Sequence, residues 1–269
     1  MNDSSVSLTC HFVPGGGQLF LHPAERASSC AKTGRSGMEK PAAARKKQVI
    51  GVMFMRNQII ESVRRKKIVA IVRGLKSESI VGLARALYEG GIENIEVTFN
   101  LKQPESYHTT TDGIRSIISA MGDKMHVGAG TVVSPELVRM AREAGAQFIV
   151  SPNTDVRVIE ETLKLGMVSM PGALTPTEAV LAHEAGADFV KLFPAGSLGP
   201  GYVKAVRAPL SHIEFLAVGG VNENNIRAFI DAGCAGAGVG GNLVNKTWIE
   251  NGEFDKITAL ARLFVENSK

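Results

Sequence analysis

Cysteine is scarce: Cys10, Cys30 and Cys234 are the only three in 269 residues, and they stand far apart. That spacing excludes a C-x-x-C zinc or disulfide framework and fits a reducing cytoplasm. The six histidines, His11, His22, His108, His126, His183 and His212, show no metal-ligand spacing, so no catalytic metal is expected. Aromatic residues make up 6% of the chain and Trp248 is the single tryptophan, which leaves no stacking platform for single-stranded nucleic acid. No apolar run approaches the length of a bilayer span, so no membrane segment is expected.

Charge is also missing where it would matter. The chain carries a formal net charge of +4 from 30 basic and 26 acidic residues. Seven of the basic residues lie before Met53, against Asp3, Glu25 and Glu39, so 23 of each sign remain beyond it. The basic excess therefore belongs to the leader, and the body has no excess charge with which to bind nucleic acid. Residues 1–52 are rich in Gly, Ser, Ala, Pro and Lys without apolar periodicity, and read as a poorly structured or disordered extension. They lack the charged start and long apolar core of a secretory signal. The body, 53–269, opens with an amphipathic helix from Met55.

Beyond that helix, eight apolar runs recur: 68–72, 92–97, 126–129, 147–150, 167–170, 189–193, 214–218 and 235–239. Helix-like segments at 78–89, 136–144, 177–185 and 223–232 lie between them, and many stop at glycine: Gly91, Gly145, Gly186 and Gly233. Strand, helix and glycine stop, repeated eight times, predict an α/β fold, a parallel (β/α)₈ TIM barrel with an N-terminal helix. An open doubly wound sheet is the alternative, and the count of eight weighs against it.

In such a barrel the site belongs to the C-terminal ends of the strands. Lys191 stands in the apolar run Asp188-Phe-Val-Lys-Leu-Phe-Pro194. It is either a snorkelling side chain or a buried amine with a depressed pKa, which is a nucleophile towards ketones. Glu96, in Ile95-Glu-Val-Thr98, is either an outward or ion-paired carboxylate or a proton shuttle entering the same mouth. Arg73 is an exposed strand-end charge or a two-pronged grip on a carboxylate. Thr131 caps the next helix or donates to the same group. Gly219-Gly220 and Gly240-Gly241-Asn242 make tight turns or cradle a phosphate, and their place after the last two runs favours phosphate. The pattern Gly236-x-Gly238-x-x-Gly241 spells a dinucleotide fingerprint formally, but no βαβ unit follows it.

Seven stretches resemble one family in order: Ile68-Val-Ala-Ile-Val-Arg73, Ile95-Glu-Val-Thr98, Val127-Gly-Ala-Gly-Thr-Val132, Phe148-Ile-Val-Ser-Pro152, Pro171-Gly-Ala-Leu-Thr-Pro176, Val190-Lys-Leu-Phe-Pro194 and Val218-Gly-Gly-Val221. They look like the class I aldolases that cleave 2-keto-3-deoxy-6-phosphogluconate and 4-hydroxy-2-oxoglutarate. The likeness runs from about residue 55 to the end. It implies a cytoplasmic homotrimer without a cofactor, acting on small keto acids and releasing pyruvate with glyceraldehyde 3-phosphate or glyoxylate. It assigns Lys191 as the Schiff-base lysine and Glu96 as the proton shuttle. Arg73, Thr131, Pro152 and Phe193 then surround the pyruvyl moiety, and Gly219, Gly220, Gly240, Gly241 and Asn242 hold phosphate. Asn100 and Asn242 depart from positions where members carry Arg and Ser. Asn100, Gly199-Pro-Gly-Tyr-Val-Lys204 and 231–238 lean towards the sister enzyme for the phosphogalactonate epimer, while Glu96-Val-Thr-Phe99 and Lys191-Leu-Phe-Pro194 lean back to the phosphogluconate, which is the expected substrate with the galactonate as the alternative. A non-covalent sugar-phosphate isomerase with Glu96 as base, and a non-catalytic sugar-phosphate binder, are the rivals from other classes.

Overall fold

The computed structural model describes residues 42–75 and 77–269. Most of the expected disordered extension, residues 1–41, lies outside the described residues. Helix α1 (Ala42–Lys66) begins well ahead of the expected opening at Met55. Ala42-Ala-Ala-Arg-Lys-Lys-Gln48 are strong helix formers without Gly or Pro, so the leader's overall composition hid a local helix signal.

Nine parallel strands follow: β1 (Ile68–Arg73), β2 (Asn94–Thr98), β3 (His126–Gly130), β4 (Phe148–Val150), β5 (Val168–Met170), β6 (Gly172–Ala173), β7 (Val190–Leu192), β8 (Phe215–Val218) and β9 (Gly236–Val239). They form one sheet in the order β5-β4-β3-β2-β1-β9-β8-β7-β6. The ends of that order, β5 and β6, are separated in sequence by Pro171 alone. They are two halves of one barrel strand, so the sheet curls into a nearly closed TIM barrel. The eight expected runs are all present; the ninth strand arises because proline has no N–H to give the ladder. Pro171 instead accepts, its carbonyl taking the Lys191 amide at 2.8 Å.

Alternation along each strand sorts side chains into two cores. Ile95, Val97, Val127, Ala129, Val190 and Leu192 point outward and pack against the surrounding helices. Val69, Ile71, Phe148, Val168, Phe189 and Leu216 fill the lower barrel, where Ile59 and Val63 of α1 join them. The N-terminal helix therefore plugs the barrel floor. Arg56 locks it there through Asp188 at 2.6 Å, while the other Asp188 oxygen accepts from the Ser169 amide at 2.9 Å. Helices stop at Gly91, Gly145, Gly186 and Gly233, each with positive φ, as the sequence predicts. Among the described residues, no helix is long and apolar enough to cross a membrane.

Candidate active site

The inner plug ends below the barrel's C-terminal mouth, and there the inward positions turn polar. Glu96 lies on β2 between two outward residues, Ile95 and Val97, and is 2% exposed. Lys191 lies on β7 between outward Val190 and Leu192, level with Gly172 and Leu216, and is 4% exposed. Both charged groups thus enter one interior from separate strands.

Burial acts on both in the direction of neutrality. It pushes the Glu96 carboxyl up, opposed by the positive charges of Lys191 and Arg73. It pushes the Lys191 amine down, opposed by Glu96 and assisted by Arg73. Both shifts run in the direction that nucleophilic attack on a ketone requires, towards an uncharged amine and a carboxyl that can carry a proton. The snorkelling alternative for Lys191 fails, because its head group is buried with its stem. Nζ lies 5.2 Å from the centroid of the Phe193 ring, which is 37% exposed at the mouth.

Two glycines make the room for Glu96. A Cβ on Gly130 would fall 1.7 Å from Glu96 Oε1, and one on Gly128 would fall 2.2 Å from the Phe148 ring. Both glycines lie inside β3 with inward orientation. The expected run 126–129 is thus a strand that extends to Gly130, and the missing side chains of Gly128 and Gly130 accommodate an aromatic ring and a carboxylate. Glycine at alternate positions flanking outward Ala129 was the available signal.

Thr131 follows immediately with φ 59°. A β-branched residue in the left-handed region carries strain, which marks functional positions more often than neutral ones. The capping alternative for Thr131 is removed: Ser134 is the N-cap of the helix Pro135–Glu143, accepting from the Leu137 amide. Arg73, exposed at the end of β1 and in register with Thr98, lines a cleft of about 420 Å³ at the mouth. Pro152 is exposed in the loop leaving β4, and its carbonyl approaches Gly172 so closely that a Cβ there would lie 2.3 Å away.

Across the mouth, Gly219 (φ 86°) and Gly220 (φ 78°) turn the chain after β8 in a conformation that only glycine adopts cheaply. Gly196 packs into that turn and donates its amide to the Gly219 carbonyl at 2.7 Å. Asn242, expected to face phosphate, donates Nδ2 to the Val221 carbonyl at 2.8 Å and so ties the β9 loop to the β8 loop. Among the described residues, the amides of Gly219, Gly220, Gly241 and Asn242 donate to no protein acceptor. A group of free amides on adjacent loops suits an anion.

The family model described as KDPG and KHG aldolase matches residues 59–260. The chain belongs to this aldolase family. It is therefore an aldolase, a carbon–carbon lyase. Among relatives, the 2-dehydro-3-deoxy-6-phosphogalactonate aldolase of Escherichia coli (strain K12) is 42% identical over 177 residues, which span 65% of this chain and 83% of that protein. The 2-dehydro-3-deoxy-phosphogluconate aldolase of Treponema pallidum (strain Nichols) is 34% identical over 205 residues, 76% of this chain and 94% of the relative. Among solved structures, KDPG aldolase from Legionella pneumophila, with pyruvate captured as a covalent carbinolamine intermediate, superposes with a TM-score of 0.68. It is 25% identical, covering 76% of this chain and 96% of that one. The matched region spans 83% to 96% of the length of these three proteins.

Proposed function

We propose that this aldolase cleaves a 2-keto-3-deoxy-6-phospho sugar acid into pyruvate and glyceraldehyde 3-phosphate through an imine on Lys191. The observation that carries this reading is the buried Lys191–Glu96 pair at the mouth of one barrel. Lys191 Nζ adds to the C2 carbonyl, and the Glu96 carboxyl protonates the carbinolamine hydroxyl, which leaves as water. The resulting carboxylate takes the C4 hydroxyl proton, the C3–C4 bond breaks, and its electron pair enters the iminium to give an enamine. The aldehyde departs; Glu96 returns the proton to C3, and water hydrolyses the imine to free pyruvate and amine. Arg73 and Thr131 hold the C1 carboxylate, while Pro152 and Phe193 wall the pyruvyl group. The free amides of the two glycine turns receive the phosphate. The Legionella structure, with its covalent pyruvate, supports the chemistry.

Of the two epimers, the phosphogalactonate takes precedence over the phosphogluconate expected from the sequence, because the relative with 42% identity bears the galactonate name. From the family resemblance we extend to this chain a homotrimeric assembly and a cytoplasmic setting. Kinetics with both phosphorylated epimers and 4-hydroxy-2-oxoglutarate side by side test the substrate. The galactonate epimer should give the largest kcat/KM, and a preference for either other compound reverses the order.

The pair also sets a pH dependence. Imine formation needs the neutral amine, so its rate rises with pH through the Lys191 pKa, which burial places below the usual lysine value. The Glu96 charge raises that pKa and the Arg73 charge lowers it. Glu96→Gln should therefore move the rising limb to lower pH, and Arg73→Met should move it to higher pH. The rate of cyanoborohydride trapping of pyruvate, measured against pH, reads both shifts; shifts in the reverse directions would refute the coupling.

A further inference from the structure

The cleft at the mouth between β1 and β2 has a composition that the chemistry at Lys191 does not require. Arg73, Thr98, Asn100, Gln103, Thr110 and Lys246 line it, and among the described residues no carboxylate lines it. Asn100 is already occupied: its Nδ2 donates to Gln103 at 2.9 Å and its Oδ1 accepts from the Lys102 amide at 3.2 Å. Among the described residues the charge of the cleft therefore comes from Arg73 and Lys246, and neither is in an ion pair.

The two cations enter the cleft from different elements. Arg73 acts inward, since its charge reaches both Glu96 and Lys191. Lys246 stands at the rim. Its Nζ lies 3.8 Å from where a Cβ on Gly74 would sit, beyond the end of β1. It opens the helix Lys246–Glu250, directly after the β9 loop that carries Gly240 and Gly241, and β9 pairs directly with β1 through Ala70 and Val239. A long side chain just past the amide-rich loop thus reaches over the neighbouring strand end into this cleft.

We propose that Lys246 is a specificity-determining residue, which holds the phosphate of the substrate from the β1 side while the free amides of the β9 loop hold it from the other. The inference rests on the phosphorylated-substrate reading above. It assigns the two anions of the substrate to two cations: the C1 carboxylate to Arg73 inside the mouth and the distal phosphate to Lys246 at the rim. An ammonium serves a phosphate as a point charge without fixed geometry, so arginine should substitute for it in large part.

The test uses the full chain and Lys246→Met, which keeps the stem and removes the charge. A charged hydrogen bond lost to the phosphate lowers the kcat/KM ratio of the 6-phosphorylated to the unphosphorylated keto-deoxy acid about 10- to 100-fold, chiefly through KM. Lys246→Arg should recover most of that ratio. Calorimetric titration with inorganic phosphate gives a readout besides activity: Lys246→Met should bind it at least about fivefold more weakly than the unaltered protein. An unchanged ratio, or equal phosphate affinity in both proteins, or no phosphate binding by the unaltered protein, overturns the role of Lys246. Failure of the unaltered protein to form a reducible adduct with pyruvate instead overturns the imine reading, and the phosphate titration still decides Lys246.

Discussion

Lys191→Met should lower kcat/KM for cleavage by about 10⁴-fold or more, while leaving the fold at least as stable as before. The loss follows from covalent catalysis: without the amine no iminium forms, and nothing else at the mouth can receive the electron pair of the C3–C4 bond. The retained stability follows from burial. Lys191 is 4% exposed, and desolvation works against its charge. An apolar side chain of similar length removes that penalty, and the partner left behind, Glu96, is itself driven towards its neutral form by burial. A thermal melt that falls together with activity would mark Lys191 as a structural ion-pair partner. A melt that holds while activity disappears separates chemistry from folding. The isomerase alternative, in which Lys191 acts only through its charge, expects Lys191→Arg to keep substantial activity; the imine mechanism expects it to be as dead as Lys191→Met.

Gly130→Ala should cost about 10²-fold or more in kcat through a residue that has no chemistry of its own. Its Cβ would lie 1.7 Å from Glu96 Oε1, far inside contact distance, so the carboxylate must move. Displacing a proton-transfer group by an ångström costs on this order. Overpacking adds a stability loss of about 1–3 kcal/mol. The two effects separate in a double-mutant cycle. On a Glu96→Gln background, where the shuttle is already lost, Gly130→Ala should reduce kcat far less than it does alone. Gly128→Ala is the matched comparison, since its Cβ would strike the Phe148 ring and strain the inner core instead. It should destabilise comparably and impair kcat less. Equal kcat losses from the two alanines would mean that general distortion of β3, and not the Glu96 position, is responsible.

The barrel was legible in the sequence because buried parallel strands announce themselves as short apolar runs, and Gly91, Gly145, Gly186 and Gly233 mark where helices stop. Lys191 and Glu96 were legible for the opposite reason: each breaks such a run with a charge that burial penalises. What the sequence hid were relations across space. Nothing in the local order of Gly130 says that a carboxylate from β2 occupies its missing side chain. The fifth run, 167–170, ends at a proline that reads as a boundary, yet Gly172–Ala173 resumes the strand beyond it and closes the barrel. Thr131 could not be relieved of a capping role until Ser134 was seen to hold it. Lys246 opens the short helix Lys246–Glu250, where a lone lysine reads as a surface charge, and only the closeness of the β9 loop to β1 gives it meaning.

Borohydride reduction in the presence of pyruvate tests the imine between Lys191 and a keto acid most directly. Intact-mass measurement should show one pyruvyl-derived adduct per chain, and peptide mapping should place it on Lys191 and nowhere in Lys191→Met. An adduct on another lysine, or no adduct while cleavage proceeds, would rule out catalysis through a Lys191 imine.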